Sequence, residues 1–190
     1  MLIFIGGGGH AKVLFDIVTA QNKVLYAYVD PNPQEWLGER NIKRFTDDEL
    51  ATVLPNKPEL FMSFLGLDPE ALQKRAAMMK DYHAKGAYFN PLIHPTAVVS
   101  PKAVLSIGVQ IMSLAVVGSG AKIGEGAVVG SGAVVDHEAT IGAGAYIAPK
   151  AVVLSGAQIG ECSYIGSGAV IMQNSGVPPQ SFVQPLTVYK

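Results

Sequence analysis

From Ile93 to Val183 every sixth residue is aliphatic: Ile93, Val99, Leu105, Ile111, Val117, Ile123, Val129, Val135, Ile141, Ile147, Val153, Ile159, Ile165, Ile171, Val177 and Val183. Four residues after each stands Ala, Ser, Thr or once Val, as in Ala97, Ala121, Ala139, Ser163, Ala169 and Thr187. A helix of period 3.6 would smear a strict period of six around its surface, and a simple strand alternates with period two, so neither accounts for the pattern. A parallel β-helix does. A large aliphatic and a small residue point inward from each short strand, and Gly or polar residues such as Gly124-Glu125-Gly126 turn the corners. Three hexads make one triangular coil, so sixteen give five coils and one further face, with Val99, Val117, Val135, Val153 and Ile171 in one column. Each buried aliphatic contributes about 1.5–3 kcal/mol, which lets stacked columns offset the ordering cost of a glycine-rich chain.

The repeat also explains the composition. Of 190 residues, 49% are hydrophobic and 15% charged, with a formal net charge of -1. That balance leaves no cationic surplus for nucleic acid. No run reaches the roughly 18–20 apolar residues of a membrane span, and Met1 to Ile5 is too short for a signal core. The single cysteine, Cys162, excludes an intramolecular disulfide and suits a reducing compartment, so a cytoplasmic location is expected. Residues 1–90 hold ten basic and eleven acidic side chains with seven glycines, and residues 91–190 only four of each charge with fourteen glycines. Two domains are therefore expected, divided at Asn90-Pro91, where the residue before proline leaves the helical region.

In the first domain Leu2 to Ile5 reads as a strand, Gly6 to Gly9 as its turn, and the following residues as a helix with Val13, Leu14, Ile17 and Val18 on one face. A second strand, Val24 to Val29, ends at Asp30. Gly6-x-Gly8-x-x-Ala11 loosely fits a phosphate-binding turn at a helix N-terminus, and an acidic residue about 20 positions on is placed to accept ribose hydroxyls. Thr46 with Glu49 makes a capping box, Glu59 to Phe64 reads as a further strand, and Asp68-Pro69 opens a helix with Leu72, Ala76, Met79 and Tyr82 inward. This is one mononucleotide half of a Rossmann-like sheet, too small for the two halves of a dinucleotide site. The fold class is thus an α/β Rossmann-like half-domain followed by an all-β parallel β-helix.

Gly-Gly-Gly-Gly-His-Ala-Lys-Val at 6–13, Asn90 to Pro95 at the junction and Asp136-His137-Glu138 within the repeats together resemble one group of hexapeptide-repeat proteins. It is the sialic acid O-acetyltransferase and bacillosamine N-acetyltransferase group, which acetylates sugars, often nucleotide-linked, for surface glycans. The resemblance covers nearly the whole chain. It implies a left-handed coil, a homotrimer with acetyl-CoA in the groove between prisms, and no metal.

His137 lies alone within the repeat body, at an outward corner. His83 and His94 read as structural, and a solvated turn histidine is the bland alternative for His137 as well. Acetyl transfer from a thioester needs a base near neutrality, and imidazole provides one, which makes His137 the candidate base. The resemblance gives Glu138 the part of orienting its tautomer, leaving Asp136 as a turn residue. One coil later Ser155 and Gly156 stack over His137, where their amides could face the oxyanion. By the same resemblance Gly8, Gly9 and His10 would contact nucleotide-sugar phosphates, Asp30 the nucleoside and Gly66 the opposite wall. For Gly8 and Gly9 the alternative is a tight turn, and for His10 a helix cap.

Members of that group often carry a second histidine, contacting acetyl-CoA, where Tyr146 stands, and Asn where Gly130 stands. They also tend to end in a further coil, which Val177-Pro-Pro-Gln-Ser-Phe-Val-Gln-Pro-Leu-Thr does not provide. These departures keep a second reading open, a catalytically impaired nucleotide-sugar-binding scaffold or partner subunit. A trimeric zinc anhydrase is set aside, because only His137 lies in the repeat body.

Overall fold

The computed structural model describes all residues, Met1–Lys190. The chain divides into two compact units, one of Met1–Leu65 and Ala77–Asn90, the other of Gly66–Ala76 and Pro91–Lys190.

In the first unit β1 (Leu2–Ile5), β2 (Leu25–Val29), β3 (Lys43–Phe45) and β4 (Glu59–Met62) form a parallel sheet in the order β3-β2-β1-β4. All four residues of β1 are buried, as a central parallel strand requires. Helix α1 (Gly9–Ala20) buries Ala11, Leu14, Ile17 and Val18, and leaves Val13 40% exposed, one residue off the expected face. A single turn α2 (Glu35–Gly38) precedes β3, and α3 (Asp47–Val53) follows it. The Thr46/Glu49 capping box opens α3, with both reciprocal bonds present.

Helix α4 (Pro69–Ala84) begins where expected, Asp68 Oδ1 accepting the Ala71 N–H at 2.9 Å. Leu72 and Met79 are buried as foreseen, and so is Arg75, at 1% exposure. Its guanidinium donates to the Gly126 carbonyl at 2.6 Å, within the second unit. Burial lowers its pKa to about 10.

The second unit holds seventeen two-residue strands, β5 (Leu92–Ile93) to β21 (Val188–Tyr189), stacked as parallel sheets of five, six and six strands in a left-handed coil. Register advances by one coil without slippage, Val117 pairing with Val135 and Val135 with Val153. From Ile111 to Val183 every aliphatic of the hexad series is buried, whereas Ile93, Val99 and Leu105, in the first coil, are partly exposed. The column begun by Val99 runs one strand past Ile171, to Tyr189.

Outside the prism the three faces differ. One presents Val104, Lys122, Thr140, Gln158 and Gly176. The second presents Leu92, Gln110, Val128, Tyr146, Tyr164 and Phe182. The third carries only valine: Val98, Val116, Val134, Val152, Val170 and Val188. On this valine face both end residues are open to solvent, Val98 at 65% and Val188 at 60%.

Candidate active site

The glycine loop takes its shape from its neighbours. Gly6 leaves β1 at φ +104, its N–H donating to the Val29 carbonyl at 2.7 Å while its own carbonyl accepts the Ser63 hydroxyl at 2.7 Å. Gly7 donates its N–H to Asp30 Oδ2 at 2.8 Å, and its carbonyl accepts the Trp36 indole N–H at 2.8 Å. Gly8 then caps α1 with no side-chain bond, and both Gly8 and Gly9 are exposed, with nothing within 4 Å of where a Cβ would stand. Gly8 and Gly9 thus stand exposed at the positive end of the dipole of a twelve-residue helix, an arrangement suited to an anion. His10 is half-buried in the first helical turn.

Asp30 stands at the end of β2 as foreseen, but its carboxylate is engaged within the chain. Besides Gly7, it accepts the Asn32 N–H at 2.9 Å on Oδ1. Sheet order reverses about β1, and a ligand is expected in the crevice beyond the carboxyl ends of the strands at such a point. A cleft of about 300 Å³ opens there, lined by Ile5, Gly6, Val29, Asp30, Pro31, Asp47, Phe64, Met78 and Tyr82. Gly66 is buried, and a Cβ on it would stand 2.6 Å from the Ala71 and Leu72 backbone. Close approach to the first turn of α4 accounts for that glycine.

On the prism, His137 is exposed at the corner after β12 (Val134–Val135), its N–H held by Asp136 Oδ1 at 2.7 Å. Asp136 is thus the turn residue expected. The corner is packed from the preceding coil by Gly118, whose Cβ would stand 2.6 Å from the His137 nitrogen. Glu138 adopts φ +58, and its carboxylate lies over Gly120 of the preceding coil rather than against the His137 ring. From the following coil the Gly156 N–H donates to the His137 carbonyl at 3.1 Å, so that amide belongs to the ladder. The stacking of Ser155 and Gly156 on His137 is as the period predicts, and the half-buried Ser155 carries an N–H that enters none of the ladder bonds.

Tyr146 projects from a different face, on β14 (Tyr146–Ile147), so a single chain does not bring it to the His137 corner. Its ring packs edge-on to Tyr164 at 5.6 Å, and Tyr164 stacks on Phe182 at 4.7 Å, an aromatic ladder that the sequence pattern did not flag. Burial pushes the Tyr146 phenol up to about 12, with Tyr164 adding to it. His83 Nδ1 lies 3.0 Å from the Ala87 carbonyl, and His94 Nδ1 accepts the Thr96 N–H at 3.1 Å, both local bonds. No three His, Cys, Asp or Glu side chains group in a way that could hold a metal ion, and no helix is long and apolar enough to cross a membrane.

Residues 1–64 match the PglD N-terminal domain, and residues 102–137 and 138–173 each match the bacterial transferase hexapeptide (six repeats). No curated protein sequence matches the chain. Among solved structures, PerB from Caulobacter crescentus, in complex with CoA and GDP-perosamine, superposes with a TM-score of 0.86 at 27% identity, covering 100% of this chain and 88% of that one. The acetyltransferase domain of PglB from Neisseria gonorrhoeae, in complex with acetyl coenzyme A, gives 0.87 at 28% identity over 97% of this chain and 88% of that one.

Proposed function

We propose, for this hexapeptide-repeat sugar acetyltransferase with a PglD-type N-terminal domain, transfer of the acetyl group of acetyl-CoA to an amino or hydroxyl group of a nucleotide-linked sugar or sialic acid. The observation that carries the reading is the exposed His137, stacked beneath a Ser155 amide that the coil ladder leaves unused. In this scheme the acceptor nitrogen or oxygen attacks the thioester carbonyl carbon as its proton passes to the imidazole of His137. The resulting oxyanion is met by the Ser155 N–H, and collapse breaks the carbon–sulfur bond, with CoA leaving as thiolate and taking the proton. Gly156 supports this indirectly, by fixing the His137 carbonyl.

Residues 1–90 act as the nucleotide-sugar-binding domain and residues 91–190 as the acyltransferase domain. Gly8, Gly9 and His10 receive the phosphates at the α1 N-terminus, the cleft beside Asp30 takes the nucleoside, and Gly66 serves substrate binding through its close approach to α4. A homotrimer is favoured by the valine face, an apolar stripe of a kind monomers seldom expose. In it the partner's Tyr146 would reach the donor. Glu138 then orients His137 once its carboxylate turns from Gly120. The setting is cytoplasmic biosynthesis of surface glycan or polysaccharide.

His137→Ala tests the base. Turnover should fall at least about a hundredfold with the melting temperature and oligomeric state unchanged. Activity near that of the parent protein would overturn the assignment.

A further inference from the structure

Gly7 is the only residue of the glycine run whose N–H and carbonyl are both held by side chains from elsewhere in the first unit. Its N–H donates to Asp30 Oδ2 at 2.8 Å, and its carbonyl accepts the Trp36 Nε1–H at 2.8 Å. The room for a side chain is also taken, since a Cβ on Gly7 would collide with Gln34 and stand 3.3 Å from Leu37.

The elements that grip Gly7 are themselves fixed. Asp30 is held by the Asn32 N–H on its other oxygen, and its carbonyl accepts the Arg44 Nε–H at 2.9 Å. The Gln34 N–H donates to the Tyr28 hydroxyl at 3.0 Å. Arg40 donates to the Trp36 carbonyl at 2.7 Å, and its guanidinium stacks 5.7 Å from the Trp36 ring. Phe15 of α1 packs edge-on to the same ring at 5.6 Å. The half-buried indole is thus clamped between α1 and its own helical turn, with its one polar atom aimed at the loop.

We infer that Trp36, together with Asp30, is a positioning residue that presets the glycine loop, so that the Gly8–Gly9 amides stand ready for the diphosphate of the acceptor. The inference rests on the phosphate-binding reading of that loop. A four-glycine run is flexible by composition, and freezing it only when ligand arrives would weaken binding. Holding Gly7 at both of its polar groups orders the chain beforehand and leaves the next two residues exposed. Trp36 itself touches no phosphate, since its indole N–H is spent on Gly7.

The test uses the full-length protein and Trp36→Phe, which keeps a ring for Phe15 and Arg40 to pack on but removes the indole donor. Titration calorimetry with UDP, GDP and inorganic pyrophosphate should show about three- to tenfold weaker binding of those probes that the parent protein binds. In turnover with any nucleotide-sugar acceptor, KM for the acceptor should rise by the same factor, with kcat and KM for acetyl-CoA unchanged. A merely structural role would lower the melting temperature and shift both KM values together, and that result overturns the proposal. Equal affinities in variant and parent overturn it too, while leaving the phosphate-binding loop standing. If the parent binds none of the three probes, the loop reading fails and the positioning role fails with it.

Discussion

Gly118→Ala should disable the proposed active site through the backbone alone. A Cβ at Gly118 would stand 2.6 Å from the His137 nitrogen and 2.8 Å from the Asp136 carbonyl carbon. Ordinary van der Waals contact starts near 3.4 Å, so the corner that carries His137 must retreat by roughly 0.8 Å. A misplacement of about 1 Å can cost a reaction up to 10²-fold, so a fall in kcat of about 10- to 100-fold is expected. Overpacking also destabilises, typically by about 1–3 kcal/mol, which in a chain of this length lowers the melting temperature by about 2–12 °C. Gly124→Ala separates the two effects, because its Cβ would meet Ala143 and Gly142 at 2.6 and 2.8 Å, the same crowding at a corner without His137. Both variants should melt lower by similar amounts, and only Gly118→Ala should lose turnover. Steady-state kinetics beside thermal denaturation decides it. Equal kcat in the two variants would refute the argument that the position of the His137 backbone limits the reaction.

Alkaline titration should show Tyr146 as a late phenol, beside Tyr82, whose pKa burial also raises. The Tyr146 pKa is raised to about 12, so the folded state holds the proton longer than the unfolded chain does; the stability this gives is complete below about pH 10 and is lost as pH climbs through about 12. Allowing for the water the phenol still meets, about 1–2 kcal/mol is at stake, and Tyr146→Phe should remove the absorbance step near pH 12 and that part of the alkaline loss; a step near pH 12 of unchanged size in the variant sinks the assignment. Arg75→Ala should destabilise by about 2–4 kcal/mol, because it empties a buried volume and strips the Gly126 carbonyl of a donor. Lys74→Ala, which breaks only an exposed pair with Glu70, should leave the denaturation midpoint nearly unchanged, and chemical denaturation showing equal effects in the two variants would contradict the account of Arg75.

What could be read from the sequence follows from what repeats. The period of six gave the strand register, the buried columns and the stacking of Ser155 on His137, because each coil copies the one below. Isolated features were harder. Strand β3 has only three residues, two of them exposed Lys43 and Arg44, and carries no periodic signal. Arg75 reads as a solvated helix residue, although it lies three positions from Leu72 and four from Met79 and so shares their inward face. Asp30 was legible as the acidic residue that closes the second strand, but its bond to Gly7 was not, since 23 positions separate the partners. The Glu138 carboxylate could not be placed from its neighbours in sequence. Its left-handed backbone turns the side chain along the column toward Gly120, a direction only the stacked coils define.

The same stacking bears on the reading of this chain as a scaffold that has lost catalysis, which leaned in part on Gly130 and Tyr146. A Cβ at Gly130 would stand 2.8 Å from the Pro149 nitrogen and 2.8 Å from the Ile147 carbonyl oxygen of the next coil. An Asn at this position would have to open the corner against a proline ring, so its absence follows from coil packing and says nothing about chemistry. Tyr146 likewise has a place, at the head of the ladder formed with Tyr164 and Phe182. A protonated phenol up to about pH 12 remains a hydrogen-bond donor throughout the range in which His137 would act as a base. Neither substitution therefore counts against turnover, and the scaffold reading loses these two supports.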